Sequence, residues 1–410
     1  MAKELNVPVP GLSPGRSVEL VYTRERLHPP SSFWLEERCL SRTHPAALSG
    51  LLLRGELGAL EVRKSAGVRE RRLGEDLLLS VEDPLPYRAE PYARHPFRYL
   101  PTVRVSAAKA SWETLARDYL VRLEDVLKPS PAVKKLAREL AQGAEGEERA
   151  LRVVQHVREL LHYKAIAFGV RGMVPARCEQ VIERRYGDCK EHSLLLYQLL
   201  RALGLEAHLA LVRTAAPIDA SLPSLDAFDH MIVYLAGKQG GRFFDATDKS
   251  FSTSLVSPFA LGGRQALILT PKGARLQAIP SPAPSSSQVR VVRQLEAEGG
   301  DLRCRETAEL RGFWAGFLRS YLRGKRADEQ RAGLSSFLEQ AGPVKLESCE
   351  IEGLEGARDP LRLKLRYRRP GVLHELEGTW VGRLSEPWLA YCLPGPTQGE
   401  RTAPFGLRYP

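Results

Sequence analysis

The six cysteines of this 410-residue chain, Cys39, Cys178, Cys189, Cys304, Cys349 and Cys392, include no C-x-x-C pair, and none has histidines at finger-like spacing. That pattern excludes an ordinary structural zinc site, and such sparse thiols in a long chain do not make a disulfide framework, so reduced cysteines are the default. Long hydrophobic runs are also missing. No stretch is long enough to span a bilayer, and residues 1–8 have no apolar signal core. As written, the chain reads as cytoplasmic with no membrane segment; an upstream segment, if one has been lost, would make it periplasmic or secreted. Nor is there a basic run interleaved with aromatics. The net charge of +11 comes from scattered residues, chiefly arginine, so no nucleic-acid partner is expected. No internal repeat is visible.

What remains is an ordinary globular composition, 43% hydrophobic and 27% charged, long enough for two or three domains each with its own core. Residues 1–108 read as a β-rich domain: 18–23 alternates, as does part of 51–62, and 82–101 is too rich in proline for a central strand. Residues 109–280 change character. Trp112, Leu115, Ala116, Tyr119, Leu123 and Val126 recur at helical spacing behind Ser111 as a cap, and the tryptophan in that stripe reads as packing. A second helix opens at Ser130-Pro131, a third spans about 147–162, and a short fourth starts at Pro175 and runs through Arg184. Alternation then indicates strands at 207–212, 230–235 and 242–247, the last two joined by the glycine-rich turn 237–241. Residues 281–287, Ser-Pro-Ala-Pro-Ser-Ser-Ser, form the best linker. Beyond it, 288–410 reads as a mixed domain, with strands at 289–310, helix over most of 313–340, and strands at 344–350, 361–367 and 372–384.

The stretch 185–204 organises the middle domain. Its second half is apolar on most sides until Gly204, a helix-closing residue, and so reads as a buried helix. Asp188 is placed to cap it, with Glu191 reaching back in a variant of the capping box. Cys189 then occupies the first helical position, where orphan N–H groups and the helix dipole favour a thiolate. Gly187 adds no side chain to shield the sulfur. Read alone, Cys189 is either a nucleophile or a small core residue.

A cysteine nucleophile needs a base, and the base needs an orienting partner. His230 opens a strand 41 residues after Cys189, and Asp245 lies on the next strand 15 residues later. If paired residues of that hairpin sum to an odd number, His230 and Asp245 share a face, opposite or diagonal; an even register separates them. Each has a bland reading too, as a satisfied strand-end histidine and a turn-forming aspartate. His192, three residues after Cys189, is a competing base, disfavoured because it points alongside the sulfur rather than across it.

The order Gly187-Asp188-Cys189-Lys190-Glu191-His192-Ser193, Phe228-Asp229-His230-Met231-Ile232-Val233 and Phe243-Phe244-Asp245-Ala246-Thr247 resembles the transglutaminase-like superfamily over about residues 145–250. The resemblance implies an α+β fold with a papain-like core, in which a Cys-bearing helix packs on an antiparallel sheet carrying His and Asp. Motif against motif, the family's catalytic trio falls on Cys189, His230 and Asp245. The flanks, including Val103-Arg104-Val105-Ser106 ahead of Trp112, resemble a bacterial subgroup with an N-terminal β domain of uncharacterised role (DUF3857-type) and a mixed domain after the core. Here that first domain looks short, as though leading strands were missing.

The resemblance implies acyl transfer through a thioester, by hydrolysis or transamidation, on a protein or peptide substrate, with residues 214–229 as the rim of the site. It implies no metal and no organic cofactor. One feature departs from the family: there is no tryptophan between Trp112 and Trp314 to help hold an oxyanion. The Cys189 N–H supplies one donor, and Tyr163 and Gln180 are candidates for another, Tyr163 also having a structural reading. The rival reading is a binding or scaffold module in which the trio is a relic.

Overall fold

The computed structural model describes residues 10–11, 13–19, 21, 34–90, 93–107, 111–166, 172–237, 240–251, 258–355, 359–382, 386–392 and 403–404. Among the described residues the N-terminal region has six strands: β1 (Leu35–Cys39), β2 (Leu48–Leu53), β3 (Leu60–Lys64), β4 (Arg69–Leu73), β5 (Asp76–Glu82) and β6 (Thr102–Ala107). They form two antiparallel three-stranded sheets, β1-β6-β3 and β2-β5-β4, around Leu40, Leu79, Val103 and Val105. Of the strand expected at 18–23, Val18, Glu19 and Val21 are irregular, and the other three residues lie outside the described ones.

Helices follow: α1 (Trp112–Leu127), α2 (Pro131–Ala141) and α3 (Gly146–Leu160). The first two start where a serine can cap them. Ser111 accepts the Thr114 N–H at 3.2 Å, and Ser130 accepts that of Val133 at 3.3 Å. α3 ends before His162, because the His162 N–H goes to the Arg185 carbonyl at 2.8 Å. That bond belongs to a two-residue parallel pair, β7 (His162–Tyr163) with β8 (Tyr186–Gly187), which sets Tyr163 beside Gly187. α4 (Cys178–Arg184) begins three residues later than the sequence suggests. The Glu191 carboxylate draws the Ala176 N–H away at 3.1 Å, and Arg177 becomes the N-cap.

α5 (Cys189–Ala202) is the buried helix expected, with Leu194, Leu195, Leu196, Leu199 and Leu200 inaccessible to solvent. Its end is a Schellman closure. The Leu205 N–H reaches the Leu200 carbonyl at 3.1 Å and the Gly204 N–H that of Arg201 at 3.0 Å, with Gly204 at φ +76°. α5 packs on an antiparallel sheet of five strands: β9 (Ala207–Val212), β10 (His230–Leu235), β11 (Arg242–Phe244), β12 (Gln265–Thr270) and β13 (Gly273–Ala278), in the order β11-β10-β9-β12-β13. The β12–β13 hairpin pairs with the second edge of β9 and makes it central, and both faces of β9 are buried. Leu209 and Leu211 join the α5 core, while Ala210 and Val212 pack with Ile232, Phe243 and Ile268.

The C-terminal region is also mixed. Strands β14 (Gln288–Glu298), β15 (Asp301–Arg311), β16 (Lys345–Glu352) and β17 (Leu361–Arg369) form a sheet ordered β14-β15-β17-β16. Helices α6 (Gly312–Leu322) and α7 (Ala327–Glu339) accompany it, then a hairpin of β18 (Leu373–Leu376) and β19 (Thr379–Gly382), and α8 (Pro387–Cys392).

Both flanks grip the core close to its sheet ends. Glu37 of β1 pairs with Arg104 at 2.9 Å and with Arg213 at 2.5 Å, and Arg104 lies 3.6 Å from Asp219 in the loop between β9 and β10. From the other side, Phe251 stacks on Phe313 of α6 (6.1 Å between centroids), and the Arg323 guanidinium donates to the Lys249 carbonyl. Among the described residues no helix is long and apolar enough to cross a membrane.

Candidate active site

The expected start of α5 is present. Asp188 is the N-cap, accepting the Lys190 N–H at 2.9 Å, and Glu191 Oε2 accepts the Asp188 N–H at 3.1 Å. Cys189 is therefore at the first helical position, and its own N–H, one of the orphan donors of a helix start, meets no acceptor among the described residues. The fully buried Glu191 ties this corner together. Besides Asp188 it takes the Ala176 N–H, and it lies 3.4 Å from the Arg184 guanidinium. Burial and the Asp188 carboxylate push its pKa up. Gly187 has a different reason from the one its place beside the sulfur suggests. A Cβ there would fall 2.5 Å from the Glu191 Cβ, so the glycine makes room for the capping box.

His230 and Asp245 meet as an odd register requires. Val233 faces Phe244 and Leu235 faces Arg242, so continuing the pairing sets Asp245 opposite Ile232 and diagonal to His230. β11 stops at Phe244, and Asp245 follows it directly. The His230 Nε2–H donates to Asp245 Oδ2 at 2.8 Å. The other Asp245 oxygen accepts from the Thr247 N–H at 2.9 Å and its hydroxyl at 2.6 Å. Burial works against charge on both partners and is overcome. The Asp245 hydrogen bond and the Cys189 side chain raise the His230 pKa to about 10; His230 and Thr247 lower that of Asp245 to about 2. With Nε2 committed to Asp245, Nδ1 is the ring nitrogen left to act on the Cys189 side chain, which helps to raise the His230 pKa.

Cys189 and His230 open into a cavity of about 270 Å³. Tyr163, Asp188 and Lys190 line it near the sulfur, with the Lys190 ammonium held on Asp188 at 2.5 Å. Tyr119, Met173, Leu211, Leu225 and Phe228 make its apolar wall. Leu225, Phe228 and Asp229 belong to the loop between β9 and β10. Asp229 closes the neck of that loop by accepting the Thr214 N–H at 2.8 Å and hydroxyl at 3.1 Å. Trp112 braces the loop from below, its indole N–H on the Ala220 carbonyl at 2.8 Å and its ring edge-on to Phe228.

The two oxyanion candidates separate. Tyr163 is half-exposed and lines the cavity, and its hydroxyl has no hydrogen-bond partner among the described residues. Gln180 is on the solvent side of α4, away from the cavity lining, because Cys178 and Val181 are the residues that α4 buries. The competing base His192 is fully buried. Its Nδ1 is 2.8 Å from the Asp188 carbonyl, burial lowers its pKa, and it does not line the cavity.

Sequence reasoning passed over Arg158. It is 5% exposed and donates to the Asp245 carbonyl from Nε (3.2 Å) and Nη2 (3.0 Å), and to the Phe251 carbonyl from Nη1 (2.9 Å). The signal was there: an arginine one turn after Val154, on the apolar stripe of α3.

A helix tipped by cysteine against a sheet that carries histidine, with an aspartate directly after its edge strand, defines a transglutaminase-like core of papain-like architecture. The chain contains a transglutaminase-like superfamily domain: residues 134–243 match that family's model, a span that includes Cys189 and His230 and stops two residues short of Asp245. Comparison with curated proteins yields no match. Among solved structures, the chain is similar to a protease candidate from Parabacteroides distasonis, at 12% identity and TM-score 0.48, covering 83% of this chain and 70% of that one. It is similar also to a cysteine protease candidate from Cytophaga hutchinsonii (15%, TM-score 0.26, 60% and 74%). A third is the periplasmic domain of TgpA from Pseudomonas aeruginosa (17%, TM-score 0.23, 49% and 69%).

Proposed function

We propose that the protein is a cysteine acyl-transfer enzyme acting on a carboxamide or peptide carbonyl of a protein or peptide substrate. One observation carries this reading: the cavity that holds the Cys189 side chain also holds an imidazole anchored at 2.8 Å to Asp245. With its pKa near 10, His230 is an imidazolium at neutral pH and so is a proton donor from the outset.

In the first half-reaction the Cys189 thiolate attacks the carbonyl carbon. The resulting oxyanion takes hydrogen bonds from the Cys189 N–H and the Tyr163 hydroxyl. As the tetrahedral adduct collapses to a thioester, the C–N bond breaks and His230 gives its proton to the departing amine. In the second half-reaction water or an amine attacks the thioester, His230 takes the proton back, and the sulfur leaves as thiolate. Water gives hydrolysis; an amine gives transamidation. Asp245 holds the ring throughout and keeps Nδ1 turned to the sulfur. The N-terminal sheets read as the DUF3857-type domain, which braces the rim through Glu37, Arg104 and Arg213.

The test is acyl-enzyme trapping. The protein is incubated with glutamine- and peptide-bond-containing donors, with and without dansylcadaverine, and intact mass and fluorescence are followed. The expected result is an adduct on Cys189 that water or dansylcadaverine discharges, absent in Cys189→Ala. Acyl transfer that persists in Cys189→Ala refutes the reading.

A further inference from the structure

A second cavity, of about 400 Å³, lies at the end of α5 remote from Cys189. α5 contributes Tyr197 and Arg201 there, α1 contributes its C-terminal half, and the turn joining β12 to β13 closes the far side. Its floor is apolar, built of Leu120, Leu127, Leu209, Leu269 and Tyr197. Its rim is cationic, with Arg117, Lys128, Arg201 and Lys272 set against Glu124, the one carboxylate among the described lining residues. None of these four cations enters an ion pair or a side-chain hydrogen bond among the described residues. Cations on the neighbouring α3 face behave otherwise: Arg152 is held on Glu148 at 2.8 Å.

We propose that this groove binds a small amphiphilic anion, with a carboxylate or phosphate head among the four cations and an apolar body on the leucine floor. The volume sets the size. At about 30 Å³ per water-sized group, the cavity takes on the order of a dozen heavy atoms, which is a medium-chain fatty acid or an aryl carboxylate rather than a length of peptide. The charge sets the head. A neutral ligand of that size would bring no counter-charge to the four lining cations, whereas an anion supplies one. The site shares α5 and β9 with the Cys189 cavity but lies at their opposite ends, so it is independent of the chemistry proposed there.

Calorimetric titration of the full chain tests the assignment, using decanoate, monodecyl phosphate, neutral octyl glucoside and a short acidic peptide as probes. Decanoate or decyl phosphate is expected to bind with micromolar Kd, and the tighter of the two identifies the head. The charge-reversed pair Arg201→Glu/Lys272→Glu should weaken binding by about tenfold or more, the size of one lost charge-assisted contact. Arg117→Ala/Lys128→Ala on the opposite wall should weaken it several-fold; both pairs sit on the surface and leave the core intact. Three outcomes overturn the proposal: octyl glucoside binding as well as decanoate, an unchanged Kd in the charge-reversed protein, or an acidic peptide binding more tightly than either amphiphile.

Discussion

Replacing Arg158 by methionine should cost this protein a large share of its stability, by an amount that depends on pH in a defined direction. The guanidinium makes three hydrogen bonds, two to the Asp245 carbonyl and one to that of Phe251, in a site from which solvent is nearly excluded. Methionine keeps the length and apolar volume but strands both carbonyls, each worth about 1–3 kcal/mol when left without a donor. It also leaves Asp248 without the positive charge that favours its ionised form. Together these place the loss at about 3–5 kcal/mol, the usual range for breaking a buried ionic contact, against a total of about 5–15 kcal/mol for a folded domain.

The pH dependence follows from Asp248. Burial, with a smaller push from Asp245, already raises its pKa despite Arg158 and the Ser250 and Phe251 N–H groups. Without Arg158 it rises further, so the folded state holds a proton that the unfolded chain has released. Stability then falls as pH rises through that window, by up to about 1.4 kcal/mol per pH unit. Urea denaturation at pH 4.5 and pH 7.5 should therefore show a larger penalty at pH 7.5, and adding Asp248→Asn should flatten the difference. A penalty under about 1 kcal/mol at pH 7.5, or one that grows as pH falls, would refute the reasoning.

Four further outcomes are expected. Asp245→Asn should drop the His230 pKa from about 10 towards or below the ordinary imidazole range, read by NMR titration, because burial then acts with less opposition. Since the wild-type pair combines a raised His230 with a depressed Asp245, its stabilisation should be complete between about pH 4 and 6.5. It should fade as pH rises through about 10 and as pH falls through about 2, as denaturation of wild type against Asp245→Asn would show. Tyr163→Phe should lower kcat for acyl transfer by about 10²–10³ with KM little changed, the signature of a donor used only in the transition state. Gly187→Ala should destabilise by about 1–3 kcal/mol in thermal melts, because the new methyl is driven into Glu191.

Local chemistry made the centre of the fold legible in the sequence. Asp188, Glu191 and Gly204 are residues whose capping roles follow from the groups a helix leaves unpaired, and α5 runs between them. The odd register of β10 on β11 could be stated as a condition because strand parity allows only two outcomes. Other parts depend on tertiary contacts that no local pattern carries. The β12–β13 hairpin becomes visible only as the strands that bury the second edge of β9. Gln180 faces solvent because α4 starts at Cys178, and that start is fixed by Glu191, eleven residues beyond Gln180. Arg158 lies on the apolar stripe of α3, but its partners are backbone carbonyls on the segment after β11, which no local pattern names.

The central claim concerns one sulfur and one ring, and thiol alkylation reads both. Burial pushes the Cys39, Cys178 and Cys304 thiols up, which leaves them poor nucleophiles near neutrality. Brief iodoacetamide treatment at pH 6, followed by peptide mapping of all six cysteines, should modify Cys189 selectively in the wild type and far more slowly in His230→Ala. Uniform slow modification of every cysteine, or a Cys189 rate indifferent to His230→Ala, would contradict the account.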